Sequence, residues 1–254
     1  MFSDLSTDFY DLGVHLDVPF VPTSERVVDA MLELAGVEAD DILYDLGSGD
    51  GRIVVAAAHK FGASAVGVEI DAGRLGRAQA YAEQMGVEHK VCFIEDDLLE
   101  VDFSPATVVT MFLLPTINLA LRPWLLKELR PGTRIVSHTF DMGRWRPDRW
   151  VPAGEDGIFL WVIPAQVAGT WAWQSNEGLA YRLELEQRYQ EISATLCIDS
   201  QPIELEKALL WGDLLELVIS GPEDGEPESL IMHCQPEHLM IVNGPQRGIV
   251  AAKQ

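Results

Sequence analysis

Short apolar runs alternate with amphipathic segments along the first part of the chain. Five runs are apolar enough to form buried strands: 42–46, 65–69, 91–95, 107–112 and 134–139. Helical periodicity marks the segments 24–35, 52–61, 73–85 and 117–129. This alternation predicts an α/β fold with a doubly wound, mostly parallel sheet and helices on both faces. Right-handed crossovers place the carboxyl ends of such strands at one edge, where ligands bind.

The hydrophobic pattern changes after residue 139. A polar, Trp-rich connection over 141–157 leads to two apolar runs, 158–163 and 167–173, whose closeness predicts an antiparallel pair that closes the sheet. Later runs alternate or are short, at 179–189, 192–198, 214–219, 230–233 and 239–242. Turns are predicted at 212–213, 221–222 and 243–244. We therefore expect a first domain over 1–175, which includes an irregular N-terminal arm, and a small β-rich domain over 176–254.

The connection between the first strand and the following helix carries the most specific signal. Residues 44–52 read Tyr-Asp-Leu-Gly-Ser-Gly-Asp-Gly-Arg. Alternate glycines allow a sharp turn and let a ligand approach the main chain where a Cβ atom would collide. The helix that follows offers free N–H groups at its first turn. An ordinary tight turn between a strand and a helix remains the alternative interpretation.

Acidic residues at the ends of the next two strands support the prediction of a nucleoside-like ligand. Glu69 ends the second strand, where a carboxylate suits the hydroxyl groups of a ribose. Asp96 and Asp97 follow the third strand and place further carboxylates at the same edge of the sheet. A dinucleotide site requires glycines in the spacing G-x-G-x-x-G, whereas this loop has G-x-G-x-G after Asp45. The spacing therefore argues against NAD.

Four segments together resemble a known family. They are 18–23 (Val-Pro-Phe-Val-Pro-Thr), the glycine loop 44–52, 112–115 (Phe-Leu-Leu-Pro) and 130–138 (Arg-Pro-Gly-Thr-Arg-Ile-Val-Ser-His). They look like the class I, seven-β-strand S-adenosylmethionine-dependent methyltransferases. Within these they are most similar to the mitochondrial lysine methyltransferases of animals and distantly to the histone lysine methyltransferase that lacks a SET domain. The likeness covers about residues 18–150, and the β-rich tail lies outside it.

The resemblance implies a cofactor and a set of contacts. S-adenosyl-L-methionine would be bound by Phe20, Pro22, Thr23, Asp45, Gly47, Ser48, Gly49, Glu69, Ile70, Asp97, Leu98 and Phe112. Leu114 and Pro115 would flank the channel for the methyl acceptor. His138, at the end of the fifth strand, is a candidate to take the acceptor's proton, because the pKa of an imidazole lies near neutrality. A hydrogen-bonded structural histidine is the alternative interpretation.

The net charge of the chain limits the class of molecule that could accept the methyl group. The chain has 18 basic and 40 acidic residues, a net charge of −22. Nucleic-acid binding is disfavoured, because phosphate contacts need Lys and Arg. We expect in-line methyl transfer to an amine, such as a lysine of a basic protein. A small-molecule acceptor and a non-catalytic binding protein remain open.

Other sequence features set the expected compartment. No apolar run reaches the ~18–20 residues that cross a bilayer. The acidic N-terminus is unlike a secretory signal, so we expect a cytoplasmic protein without a membrane anchor. Cys92, Cys197 and Cys234 lie in apolar segments and are expected to be reduced and buried. The spacing of His233, Cys234 and His238 is not a strong zinc pattern, so no metal site is expected.

Overall fold

The computed structural model describes residues 21–220 and 227–254, which form two units. The N-terminal unit ends at Trp161 and the C-terminal unit begins at Val162. The helices of the N-terminal unit are α1 (Glu25–Ala35), α2 (Arg52–Ala56, continued by a π-helical turn, Ala57–Phe61), α3 (Ala72–Met85) and α4 (Pro115–Glu128). Its strands are β1 (Ile42–Leu46), β2 (Ser64–Glu69), β3 (Val91–Glu95), β4 (Val108–Met111), β5 (Arg134–His138), β6 (Arg149–Ala153) and β7 (Asp156–Val162).

A seven-stranded sheet forms the centre of the N-terminal unit. Its strands lie in the order β3-β2-β1-β4-β5-β7-β6. The neighbouring pairs among β1 to β5 are parallel, with Leu43 opposite both Ala65 and Val108. The predicted doubly wound, mostly parallel sheet is therefore confirmed. The carboxyl ends of β1, β2, β3, β4 and β5 meet at one edge, which collects the candidate residues.

Local sequence explains where the helices begin and end. The N-cap of α1 is Ser24, whose side chain makes no capping bond. Gly36 ends α1 in the left-handed conformation, which glycine adopts without strain. Pro115 occupies the first turn of α4, where its missing N–H and fixed φ are tolerated.

The antiparallel part of the sheet differs from the prediction. The run at 158–163 corresponds to β7, but β7 pairs with β6, so Ile158 lies opposite Val151. The run at 167–173 belongs to the C-terminal unit instead. Sequence reasoning missed β6 because it is an edge strand that contains Pro152 and exposes Arg149 and Trp150.

The C-terminal unit is an antiparallel sheet of nine strands. They are β8 (Gly169–Gln174), β9 (Ala180–Arg188), β10 (Glu191–Ile198), β11 (Gln201–Ile203), β12 (Leu205–Trp211), β13 (Leu214–Ile219), β14 (Glu228–Gln235), β15 (His238–Ile241) and β16 (Val250–Lys253). The order is β11-β10-β9-β8-β16-β15-β14-β13-β12. Only Glu204 separates β11 from β12, and β12 lies beside β10, so the sheet curves round on itself.

Alternating side chains fill the inside of this curved sheet. The buried set includes Trp171, Leu183, Leu196, Leu215 and Met232. The prediction that the C-terminal part is β-rich is therefore confirmed, although β11, β12 and β16 were not predicted. The contact boundary at residues 161/162 precedes the expected one at 175/176, because β8 pairs with β9 and β16. Phe20, the N-terminal arm to residue 18 and the turn at 221–222 lie outside the described residues.

The cysteines and the membrane-spanning segments were also the subject of predictions. The three cysteines are free, but Cys92 is exposed rather than buried, because β3 is an edge strand. Cys234 is buried, and Cys197 is partly exposed. Among the described residues, no helix is both long and apolar enough to cross a membrane.

Candidate functional site

The glycine loop after β1 has the backbone that its sequence predicts. Gly47, Gly49 and Gly51 have φ angles of 82°, 55° and 77°, in the left-handed region. A Cβ atom on Gly47 would lie 2.9 Å from Leu113 Cδ2, and one on Gly51 would lie 2.7 Å from Ala78 Cβ. Gly51 therefore requires glycine for both conformation and space, whereas at Gly47 the left-handed conformation is the stronger requirement, because Leu113 Cδ2 ends a flexible side chain. Gly47 is exposed, which leaves its backbone open to a ligand at this edge.

Ser48 is turned into the protein beneath the loop. Its N–H donates to Val68 O at 2.8 Å, and its side chain is buried against Gly67. A Cβ atom on Gly67 would lie 2.7 Å from Ser48 Oγ, so the second strand also needs glycine there. Ser48 Oγ has no hydrogen-bond partner among the described residues. The exposed backbone of Gly47 and the fixed position of Gly49 are the loop's clearest ligand-binding features.

Glu69 connects the end of β2 to the glycine loop. Its Oε2 accepts a hydrogen bond from Gly49 N at 2.9 Å. Its Oε1 accepts from Asp71 N at 3.1 Å and from Arg74 Nη1 at 3.2 Å. The side chain is only 6% exposed, so these bonds fix the carboxylate in one orientation. The four lone-pair directions of a carboxylate leave capacity for a further donor, such as a ribose hydroxyl.

Asp45 is a buried acid directly before the loop. It is 2% exposed, and its Oδ1 accepts a hydrogen bond from Thr110 Oγ1 at 2.8 Å. The pKa of Asp45 is raised from 3.8 to about 7, and burial is the largest cause; the hydrogen bond from Thr110 opposes this rise, and the charges of Glu69 and Asp50 add to it. A pKa of about 7 means that the charge of Asp45 changes near neutral pH.

The two acids after β3 are placed differently. Asp97 is half-buried and accepts a hydrogen bond from Leu99 N at 3.0 Å, whereas Asp96 is exposed and accepts from Asp97 N at 2.8 Å. The N–H of Asp96 donates to Glu69 O at 3.3 Å, so this turn stays beside the end of β2. Leu98 is half-buried and Ile70 is 65% exposed. Their contacts to a cofactor remain predictions.

The segment before α1 is tied to the same edge. Arg52 donates from Nη1 to Thr23 O at 2.5 Å, and from Nε and Nη2 to Asp50 at 2.8 Å and 2.6 Å. Thr23 is buried and Pro22 is exposed. Thr23, which the resemblance assigns to cofactor binding, therefore lies beside the glycine loop.

The ends of β4 and β5 form an aromatic corner. The rings of Phe112 and His138 are 4.3 Å apart between centroids, and those of Phe112 and Phe140 are 6.3 Å apart. Burial lowers the pKa of His138 below 6.5, and the charge of Asp156 opposes this weakly. Leu114 is the N-cap of α4 and Pro115 begins it. Sequence reasoning missed Asn118, Thr110 and Arg74; the signal for Asn118 was a lone amide among the apolar residues of α4.

The residues at this edge fit S-adenosyl-L-methionine. The three glycines of the loop are left-handed, a buried carboxylate is already oriented beside the loop, and a second acid follows at the end of β3. Among the described residues, no group of His, Cys, Asp or Glu is arranged to hold a metal ion. His233 instead pairs with Asp213, Nε2 to Oδ2, at 2.8 Å.

Comparisons with known proteins agree with this arrangement. The family model described as the ANTKMT methyltransferase domain matches residues 45–149. A protein-lysine N-methyltransferase from Saccharolobus islandicus (strain REY15A) is 50% identical over 58% of this chain and 94% of its own length. The adenine nucleotide translocase lysine N-methyltransferase of Mus musculus is 35% identical over 63% of this chain and 69% of its own.

A solved structure extends the comparison to the cofactor. It is an RNA methyltransferase from Salinibacter ruber in complex with S-adenosyl-L-homocysteine. It is 54% identical, has a TM-score of 0.57, and is matched over 58% of this chain and 96% of its own. From the strand order, the glycine loop and these relatives, the chain belongs to the class I, seven-β-strand family of S-adenosylmethionine-dependent lysine methyltransferases.

Proposed function

We propose that this protein transfers the methyl group of S-adenosyl-L-methionine to the Nε atom of a lysine in a basic protein. The observation that carries the proposal is the fixed Glu69 carboxylate on the glycine loop, in a chain that shares half its matched residues with a protein-lysine methyltransferase. When bound, the cofactor supplies an electrophilic methyl group. The protein's own task is to bind, orient and exclude water.

Cofactor binding is assigned to the strand ends. We assign the ribose hydroxyls to Glu69, the adenine to Asp97 and Leu98, and the methionine part to the backbone of Gly47 and Gly49. The left-handed glycines support this assignment, because they let the main chain approach a ligand closely.

The acceptor amine has to lose a proton before it attacks. His138 is 8% exposed, its pKa is lowered by burial, and its Nδ1 has no partner among the described residues. A neutral imidazole accepts a proton, so we assign that task to His138. The ring of Phe112 packs against the imidazole, with the two centroids 4.3 Å apart. Orientation of the amine then supplies much of the rate.

A basic protein suits the charge of the chain better than RNA does. The similarity to a solved RNA methyltransferase makes RNA the second candidate acceptor. With 18 basic against 40 acidic residues, however, the long-range field repels a polyphosphate and attracts a lysine-rich partner. The charge discriminates between acceptors alone, because either acceptor uses the same cofactor site.

The test is transfer of a labelled methyl group to separated acceptors. The full chain is incubated with labelled S-adenosylmethionine and, in parallel, with the protein, RNA and small-molecule fractions of a host lysate. We expect label in protein, on lysine, and none in RNA. Label in RNA alone or in small molecules alone contradicts the proposed acceptor. Cofactor binding without transfer to any fraction supports the non-catalytic alternative.

A matched pair of variants ties that activity to the glycine loop. Gly47→Ala places a methyl group 2.9 Å from Leu113 at φ 82°, whereas Gly86→Ala, at the end of α3, meets nothing within 4 Å at φ 70°. Backbone strain is similar in both, about 1–2 kcal/mol. We expect cofactor affinity, measured by calorimetry, to fall roughly ten-fold or more in Gly47→Ala only, which corresponds to ~1.4 kcal/mol. Equal affinities contradict the assigned loop contact.

A further inference from the structure

The chain makes a strained turn directly after β5. Phe140 N donates to His138 O at 2.8 Å, which closes a three-residue turn around Thr139. Thr139 has a φ of 69°. A turn of this kind is rare, and a β-branched residue at positive φ is strained. Such strain persists only where surrounding contacts hold it, and it occurs most often at functional sites.

Asn118 holds this turn in place from α4. Its side chain is completely buried, and its Nδ2 donates to Ser137 Oγ at 3.2 Å and to Phe140 O at 3.1 Å. Ser137 Oγ also donates to Phe140 O, at 2.7 Å. Thr139 N donates to Gly157 O at 2.8 Å, so both sides of the turn are anchored. A buried amide is costly unless it is bonded, and here its bonds fix a backbone corner.

The corner presents polar atoms that the protein itself does not use. Asn118 Oδ1, His138 Nδ1 and Thr139 Oγ1 are buried and have no hydrogen-bond partner among the described residues. Each can accept a hydrogen bond when His138 is neutral with its proton on Nε2. Unpartnered buried acceptors in a strained turn fit an incoming donor, and an amine is such a donor.

We propose that Asn118 is a positioning residue for methyl transfer: its amide fixes the turn that holds His138 against Phe112 and sets the place of Thr139, where the acceptor amine is received. This rests on the proposed function, since it concerns the acceptor side of the same site. Asn118 acts through the turn and is not required for cofactor binding.

The test compares Asn118→Asp and Asn118→Leu with Leu125→Ala. Asp keeps the shape but removes the donor, and Leu removes all polar atoms. Leu125 is buried in the same helix as Asn118, so its truncation controls for lost stability. Rates are measured with the full chain at a temperature where each variant is equally folded. We expect both Asn118 variants to lower kcat at least ten-fold, to change the acidic limb of the pH–rate profile, and to leave the Kd for S-adenosylmethionine within two-fold.

Thr139→Gly gives a second readout that does not depend on stability. Glycine accepts the positive φ, so the variant is expected to melt no lower than the wild type. Its freer turn and missing hydroxyl are expected to lower kcat while cofactor binding stays unchanged. The proposal is overturned if the Asn118 variants lose no more activity than Leu125→Ala and keep the wild-type pH profile.

Failure of this inference is distinguishable from failure of the proposed function. The pKa of His138 is followed by NMR in the wild type and in Asn118→Leu, which needs no acceptor. A shift supports a turn held by Asn118, and an unchanged pKa contradicts it. Absence of methyl transfer by the wild type contradicts the proposed function instead.

Discussion

Replacement of Asp45 by Asn gives a quantitative test of the buried acid below the glycine loop. A carboxyl whose pKa is raised by folding binds its proton more tightly in the folded chain than in the unfolded one. Its unfavourable effect on stability is therefore absent below about pH 4, grows as the pH rises, and is complete above about pH 7. A rise from 3.8 to about 7 corresponds to roughly 4 kcal/mol at 1.36 kcal/mol per pKa unit.

Asn cannot ionise and keeps an oxygen for the Thr110 hydroxyl. The extra amide hydrogens cost stability by an amount that does not depend on pH. We therefore expect the free energy of unfolding of Asp45→Asn, relative to the wild type, to increase by about 3–4 kcal/mol between pH 4 and pH 8. Taking the difference between the two proteins cancels every other titrating group to first order.

The assay is urea unfolding followed by tryptophan fluorescence at one-unit pH intervals. Asp50→Asn is the control, because hydrogen bonds from Arg52 hold the pKa of Asp50 below 3.8. A carboxylate with a lowered pKa stabilises the folded protein above its unfolded pKa, and this stabilisation is lost as the pH falls. The difference in unfolding free energy between Asp50→Asn and the wild type therefore changes in the opposite direction, and it does so below about pH 4. Parallel curves for Asp45→Asn and the wild type between pH 4 and pH 8 would refute the reasoning about Asp45.

Three further predictions follow from the site and from thiol burial. Glu69→Gln weakens a charge-assisted bond to Gly49 and is expected to lower affinity for S-adenosylmethionine by about ten-fold or more in calorimetry, while Glu95→Gln, exposed on β3, leaves it unchanged. His138→Phe is expected to lower the methylation rate about 100-fold and to remove the acidic limb that this histidine contributes below pH 6.5; an unchanged profile contradicts its assignment as base. A thiol reagent is expected to modify Cys92 quickly in the native protein and Cys234 only after unfolding, because burial raises the pKa of Cys234 to about 12; equal rates contradict the edge position of β3.

Patterns local in sequence were sufficient to predict the parallel part of the fold. Each of β1 to β5 is a short apolar run, and the segment between consecutive strands determines the crossover. The glycine loop was predictable for the same reason, since Gly47, Gly49 and Gly51 lie within five residues and form one turn. The antiparallel strand β6 was not predictable, because its exposed edge carries Arg149, Trp150 and Pro152 rather than an apolar run.

Side-chain partners distant in sequence account for the rest. The bond from Thr110 to Asp45 joins neighbouring strands, and Asn118 reaches the turn after β5 from a different helix. Neither pair lies within one periodic segment, so no local pattern indicates it. The pairing of β16 with β8, which brings the chain end beside the first strand of the C-terminal unit, is equally non-local.

The central claim is that methyl groups pass from S-adenosylmethionine to lysine. The most direct measurement is fragment-ion mass spectrometry of a lysine-rich protein after incubation with the full chain and the cofactor, with Gly47→Ala run in parallel. We expect added methyl groups on lysine Nε atoms with the wild type and a strong reduction with the variant. Methyl groups on other side chains only, or equal lysine methylation with and without the enzyme, would contradict it.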